Sequence, residues 1–401
     1  MPSAVSQLYQ YTHVPRRRRT LIGPTVRLRR KRETTSLLGG LEVPTIDLAN
    51  YGTPEGNKEL AQTLIEAIRT KGFFYVINYG ISQEAVDTQF SLGQKFYELP
   101  LEEKLKYEPD LDSGDYNGYR PAGRRFLSGG IKDKTEVWNM ATKAGHITQP
   151  LPKLLDDRKQ EIEGLPRYLE HRYRRILVAS ALTSSPGLAR QGAGPLNHLI
   201  ALALELPEDF FTRVHKWETH DESHLRYMKY SKFTPEEIEK LDDGLWSRGH
   251  TDLGTITLLF RQPVAALQIR DHETGSWKWA KPLDGSLTVN TCDALSFLTG
   301  GYVKSTVHRV SVPPKDQRHV DRLGLLYFAR PQNDLPLKTI DSPVLKREGF
   351  TQNEFEAGGH RVPTMGEFTT LKQTWQQKKG VSYQSSEGQE ILPGFKGQYF
   401  Q

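Results

Sequence analysis

Apolar residues follow two rhythms along this chain, and the change falls near residue 225. Upstream, the spacing is three to four. Leu60, Ala61, Leu64, Ile65 and Ile68 share one face of a helix expected over residues 58–70, which Gly72 would stop. Residues 73–77 form an unbroken apolar run, as in a buried strand. Ser82 then opens a second helix with Val86, Phe90 and Tyr97 inward. Residues 110–130, rich in Gly, Tyr and Arg, carry no period and read as an ordered loop. A helical period resumes near Leu155 and passes Tyr168, Ile176 and Leu182. Turn residues interrupt it at 183–187 and 192–195, and it returns at Leu196, Ile200 and Leu204. Downstream of Leu225 the runs become short and β-branched: 255–260, 266–269, 287–290, 295–298 and 323–328. Gly275, Pro282, Gly285, Gly300, Gly301, Pro313 and Pro314 separate them. Regular short strands of this kind predict a sandwich or barrel. Thr364 and Glu367 form a capping box ahead of a C-terminal helix carrying Phe368, Leu371 and Trp375, with Lys378, Lys379 and Gly380 closing it.

Charge sharpens the picture at one end. Nine of the 54 basic residues lie before Glu33, among them Arg16 to Arg19, with no acid between them. The remaining 45 then face 48 acidic residues, so the excess belongs to an N-terminal tail and the rest is near neutral. A solvated, disordered arm is the expectation. A nuclear signal, a nucleic-acid contact or a transit peptide are the sharper alternatives. No stretch nears the roughly 20 apolar residues that span a bilayer. The single cysteine, Cys292, excludes an internal disulfide and points to a reducing compartment. The cytoplasm is therefore expected, with mitochondrion or nucleus as alternatives through the tail. Cys292 itself reads as a small core residue.

The chemistry concentrates in residues 248–254. His250 and Asp252 stand two apart in a strand context, so both can face one metal. His308 lies in a second β-branched run and supplies a third ligand. Two imidazoles and one carboxylate, without thiolate, leave open positions on the metal and suit Fe(II) better than structural zinc. Arg322 sits in the apolar run that continues to Phe328. A buried guanidinium needs an anion, and it grips a carboxylate through two parallel hydrogen bonds. That anion is either a dicarboxylate cosubstrate or an internal acid such as Asp293 or Asp321.

These residues sit in an ordered series of motifs. Residues 43–48 resemble a family's opening strand. Residues 72–80 resemble its "GFF-x-V-x-NHG" strand, with Tyr79 at the usual histidine. Residues 249–259 and 304–310 match its two metal motifs, and Ala266 to Ile269 and Val289 to Asp293 match the strands between. The chain thus resembles the isopenicillin-N-synthase-like branch of the Fe(II)/2-oxoglutarate-dependent dioxygenases over roughly residues 41–335. The resemblance implies a mixed α/β fold with a mainly β core. That core is a double-stranded β-helix (jelly-roll, cupin-like) beside an N-terminal domain of helices and strands, with a C-terminal helix. The divisions expected are a tail over 1–40, an N-terminal domain over 41–215, the oxygenase core over 216–335 and a lid extension over 336–401.

By the same resemblance, His250, Asp252 and His308 bind iron, and Arg322 holds the distal carboxylate of 2-oxoglutarate with Tyr230 in support. O2 is the co-oxidant, and ascorbate an auxiliary reductant. The chain departs from the family at Met228, where Asn is usual, at Gly324, where Ser is usual, and at Cys292, where Gly is common. Substrate contacts are expected from Tyr119, Arg124 and Trp138, with packing of the domain seam as the alternative. The expected activity is hydroxylation, desaturation or ring formation on a small molecule of specialised metabolism, by a monomer with no membrane or nucleic-acid partner. Two rivals are an oxidase of the same fold that uses no 2-oxoglutarate and a nucleic-acid-associated protein acting through the basic tail. The family's helix near 165–205 is continuous, so the break at 183–195 is either a surface loop or a gene-model error.

Overall fold

A computed structural model describes residues 40–143, 146–147, 149–165, 195–215, 221–241, 244–377 and 388–396. The basic tail and the interrupted segment before Pro195 lie outside these residues. The first helix, α1 (Pro54–Thr70), begins where Thr53 accepts from the Gly56 N–H and Pro54 fixes the first turn. It buries Leu60, Ala61, Leu64, Ala67 and Ile68, each large side chain contributing ~1.5–3 kcal/mol. It stops at Lys71 and Gly72. Gly72 holds φ +66°, and a Cβ there would strike Thr306 Oγ1 and the Lys304 carbonyl. The second helix, α2 (Gln83–Tyr97), is capped by Ser82 and packs through Gly93 on the Tyr227 ring.

Nine strands form the larger sheet. They are β1 (Thr45–Asp47), β2 (Phe73–Ile77), β3 (Gly118–Arg120), β4 (Thr135–Lys143), β5 (His146–Ile147), β6 (His224–Tyr230), β8 (Ile256–Phe260), β11 (Leu287–Thr291) and β13 (Arg322–Ala329). The order across the sheet is β1-β2-β11-β8-β13-β6-β4-β3, with β5 paired to β4, so strands from both sides of residue 215 share it. The smaller sheet runs β10 (Trp277–Trp279), β9 (Leu267–Arg270), β12 (His308–Ser311) and β7 (Leu245–His250).

Strict alternation gives the larger sheet two different faces. Leu225 and Tyr227 on β6, Leu325 and Tyr327 on β13, and Trp138 and Met140 on β4 enter the main hydrophobic core with α1 and α2. Their neighbours Arg226, Met228, Tyr230, Leu326, Phe328, Val137 and Asn139 line a cavity enclosed with the smaller sheet.

Three expectations change. Residues 295–298 are not a strand but part of a helix, α3 (Asp293–Leu298). Ala294, Leu295, Phe297 and Leu298 are all buried, and a four-residue apolar run looks the same in either conformation. β4, one of the longest strands, lies where no strand was expected. β7 ends at His250, so Asp252 stands just past the strand rather than in it. The C-terminal helix, α4 (Met365–Gln377), carries the expected capping box: Glu367 N–H reaches Thr364 Oγ1 at 3.3 Å, and Thr364 N–H reaches Glu367 Oε2 at 2.9 Å. Its buried Lys372 pairs with Asp293 and donates to Thr251 Oγ1 at 3.0 Å, which ties this helix to the residue between His250 and Asp252. Among the described residues no helix is long and apolar enough to cross a membrane.

Candidate active site

His250 ends β7 and His308 begins β12, and the two are register partners in the ladder. Their ring centroids are 4.6 Å apart. Asp252 lies between them, with Oδ1 3.8 Å from His250 Nε2 and Oδ2 3.8 Å from His308 Nε2. One ligand atom from each residue fits within a 4.8 Å span.

The tautomer of each imidazole follows from its neighbour. His250 Nδ1 is 2.9 Å from the Arg248 carbonyl, and His308 Nδ1 is 3.1 Å from the Thr306 carbonyl. A carbonyl can only accept, so each Nδ1 carries the proton and each Nε2 keeps its lone pair toward Asp252. Burial, with repulsion from His308 next, lowers the His250 pKa to about 4, so this ring is neutral at neutral pH. Burial alone would raise the Asp252 pKa. The imidazoles of His308 and His250 and the donors Asn290 and Thr257 outweigh that and hold it below the usual carboxylate range. Asn290 Nδ2 donates to Asp252 Oδ2 at 3.0 Å and Thr257 Oγ1 at 2.7 Å. Asp252 is therefore ionised and His250 neutral, all three ligands are oriented by hydrogen bonds, and the set is free of thiolate, which fits a facial Fe(II) site. Cys292 is fully buried, with Sγ 3.5 Å from Thr257 Oγ1, and burial first and then Asp252 keep its thiol protonated. Removing one outer donor, as in Asn290→Ala, is expected to weaken Fe(II) binding roughly 10–100-fold, read by anaerobic titration, with the fold intact.

Arg322 begins β13 opposite Tyr230 at the end of β6. It is 4 % exposed and lies over the Tyr230 ring, with Cζ 5.1 Å from the centroid. Neither internal acid serves it. Asp293 is taken by Lys372 and Ser305, and Asp321 by Lys229 at 3.5 Å and the Lys232 N–H. Among the described residues no carboxylate pairs with Arg322, and its Nε has no acceptor. Burial lowers its pKa, so the charge is held at a cost in the absence of an anion. A carboxylate at this end of the cavity fits it. Gly324 pairs with Met228 on β6, and a Cβ there would come within 3.2 Å of Met228 Cβ. Gln262 Nε2, at 3.1 Å from the same added Cβ, crowds the position further.

The three expected substrate contacts lie elsewhere. Tyr119 and Trp138 are fully buried in the main core, both packed on Phe96. Arg124 pairs with Glu108 at 3.2 Å and Asp112 at 3.1 Å. None of them lines the cavity; Tyr116, Arg120, Val137 and Asn139 do. On β4 this is the alternation itself, since Trp138 points opposite to Asn139. Arg226 is a further cavity residue that the sequence reading passed over.

Comparison with known proteins agrees with this geometry. Residues 43–161 match the model of the N-terminal region of non-haem dioxygenases described from morphine synthesis. Residues 223–331 match the 2OG-Fe(II) oxygenase superfamily. A UPF0676 protein of Schizosaccharomyces pombe is 30 % identical over 76 % of this chain and 86 % of its own. The 2-oxoglutarate-dependent dioxygenase frbH of Dothideomycetidae sp. is 28 % identical over 78 % and 89 %. A full-length Neurospora crassa protein, crystallised in complex with alpha-KG, superposes with a TM-score of 0.67 at 23 % identity, covering 83 % of this chain and 96 % of that one. The chain belongs to the 2OG-Fe(II) oxygenase superfamily. It is a 2-oxoglutarate-dependent dioxygenase with a jelly-roll core, an oxidoreductase that uses Fe(II), 2-oxoglutarate and O2.

Proposed function

We propose that this enzyme oxidises a small organic molecule of specialised metabolism, with His250, Asp252 and His308 holding the iron and Arg322 holding the distal carboxylate of 2-oxoglutarate beside Tyr230. The observation that carries the assignment is a buried guanidinium with no acid partner among the described residues, set in the same cavity as two imidazoles and a carboxylate. Bound iron would supply O2 activation coupled to decarboxylation of the 2-oxo acid. That chemistry would place one oxygen atom of O2 in succinate and release CO2. The protein's own part is to present two neutral Nε2 lone pairs and one ionised carboxylate. It also keeps the cosubstrate's distal end away from the metal and encloses the reacting groups between two sheets. The substrate would meet the Arg226, Asn139 and Phe328 side of the cavity rather than Tyr119, Arg124 or Trp138.

The test is a balance sheet of products. Purified protein with Fe(II), 2-oxoglutarate and a metabolite extract is expected to form one succinate per substrate oxidised. Oxidation of a substrate without succinate would overturn the cosubstrate assignment.

A further inference from the structure

Arg226 is held in one orientation by groups that carry no negative charge. Its Nε donates to Asn139 Oδ1 at 2.6 Å, and Asn139 is itself fixed by donating from Nδ2 to the Tyr116 carbonyl at 2.6 Å. Its Nη2 lies 3.3 Å from His224 Nε2. His224 Nδ1 is 3.0 Å from the Glu222 carbonyl, so Nδ1 carries the proton and Nε2 accepts from Arg226. The His224 ring is stacked on Phe328, with centroids 4.6 Å apart and planes at 14°. Arg226 Cζ lies 4.4 Å from the Phe328 centroid. Two of the five N–H groups of a guanidinium are thus used for positioning, leaving three. Arg226 lies deep in the protein, and its pKa falls to about 10 through burial. Its accessible surface is wall of the cavity.

The charge around the cavity points the same way. Five arginines and two aspartates line it. Asp133 is taken by Arg120 at 3.4 Å, and Asp252 belongs to the metal triad. No ion pair to Arg226 forms among the described residues. Two charges on iron and two opposite charges on 2-oxoglutarate cancel, so loading the metal site adds no net counter-charge for Arg226. Arg322 stands at one end of the β6–β13 ladder, and Arg226 lies further along it. Arg322 is on the rung of Tyr230 and Arg226 on the rung of Leu326, four residues along, or roughly 13 Å. With the distal carboxylate of 2-oxoglutarate assigned to Arg322, Arg226 keeps no anion among the described residues.

We propose that Arg226 is the receptor for a carboxylate carried by the substrate, which makes small organic acids the substrate class. The inference rests on the assignment of 2-oxoglutarate to Arg322. A fork with three remaining donors, prepositioned by Asn139 and His224, binds a carboxylate through two hydrogen bonds, whereas a neutral amide presents it only one good acceptor.

The experiment keeps the two assignments apart. The Fe(II)- and 2-oxoglutarate-loaded enzyme is prepared without oxygen. Its charge-transfer band is titrated with a panel of small aromatic and aliphatic monocarboxylic acids, each paired with its primary amide. At least one acid is expected to shift the band and to bind about tenfold or more tightly than its amide. Arg226→Gln should keep the 2-oxoglutarate band and lose that preference, and Arg226→Lys should restore part of it. The proposal is overturned if no acid shifts the band, if acid and amide bind alike, or if Arg226→Gln keeps the preference. Loss of the band itself in Arg226→Gln, with the fold retained, would instead place 2-oxoglutarate on Arg226. Absence of a band in the unmodified enzyme would fail the cosubstrate assignment, and this proposal with it.

Discussion

Asp252→Asn is expected to reduce 2-oxoglutarate turnover to background while leaving the fold in place. The carboxylate lies 3.8 Å from both imidazole Nε2 atoms and is the only anion in the triad. Two neutral imidazoles and an amide cannot replace the charge that holds a dication, because a facial Fe(II) site depends on its carboxylate. Asn is the informative substitution. Its carbonyl still accepts from Asn290 and Thr257, which sit 3.0 and 2.7 Å from Oδ2. Alanine would leave both buried donors only the weak acceptor Cys292 Sγ, at up to about 1–3 kcal/mol each, and would confuse metal loss with unfolding. The measurements are anaerobic Fe(II) titration, succinate formation and thermal melting. Turnover above a tenth of the unmodified rate, with Fe(II) bound, would remove Asp252 from the ligand set. His250 and His308 keep their Nδ1–carbonyl bonds in the variant, so their orientation is not at issue.

How much of this was legible beforehand differs residue by residue. The triad was readable because its members sit in local patterns: two residues apart across a strand end, and one histidine in a later β-branched run. Short alternating strands likewise announced the β core, although the Asp293–Leu298 helix has too short a run to show its period. The cavity wall was harder, because residue type and strand parity gave different answers. Tyr119 and Trp138 were chosen as aromatics, yet parity sends Trp138 to the core and Asn139 to the cavity. Counting back in twos from Tyr230 passes Met228 and reaches Arg226, so the signal was present. In sequence, though, an arginine among Leu225, Tyr227 and Lys229 reads as an ordinary polar face. Whether Arg322 has a partner could not be read at all. Asp321 is its chain neighbour, yet it points to Lys229, and Asp293 is claimed by Lys372 from a helix more than seventy residues away.

Arg322→Met is expected to move stability and function in opposite directions. The guanidinium is buried, its Nε has no acceptor, and among the described residues no acid pairs with it. Without ligand it is a desolvated charge, and replacing such a group by an apolar side chain of similar length is often neutral or stabilising. The melting temperature of the ligand-free variant is therefore expected to rise, by about 1 °C for each kcal/mol in a chain of 401 residues. Affinity for 2-oxoglutarate should fall about 30-fold to a few thousand-fold, the range for truncating one side of a buried, hydrogen-bonded charge pair. In the unmodified enzyme, 2-oxoglutarate at a hundred times its dissociation constant should stabilise by about 2.7 kcal/mol, and the variant should lose that gain at the same concentration. Arg322→Lys separates charge from shape: it keeps the cation but not the parallel pair of donors, so it should recover only part of the affinity. A fall in the melting temperature of ligand-free Arg322→Met would mean that the protein itself satisfies the guanidinium. Unchanged 2-oxoglutarate affinity would take the cosubstrate away from Arg322, whatever the stability did. A rise in stability joined to a loss of affinity is the result that only a ligand-completed charge pair produces.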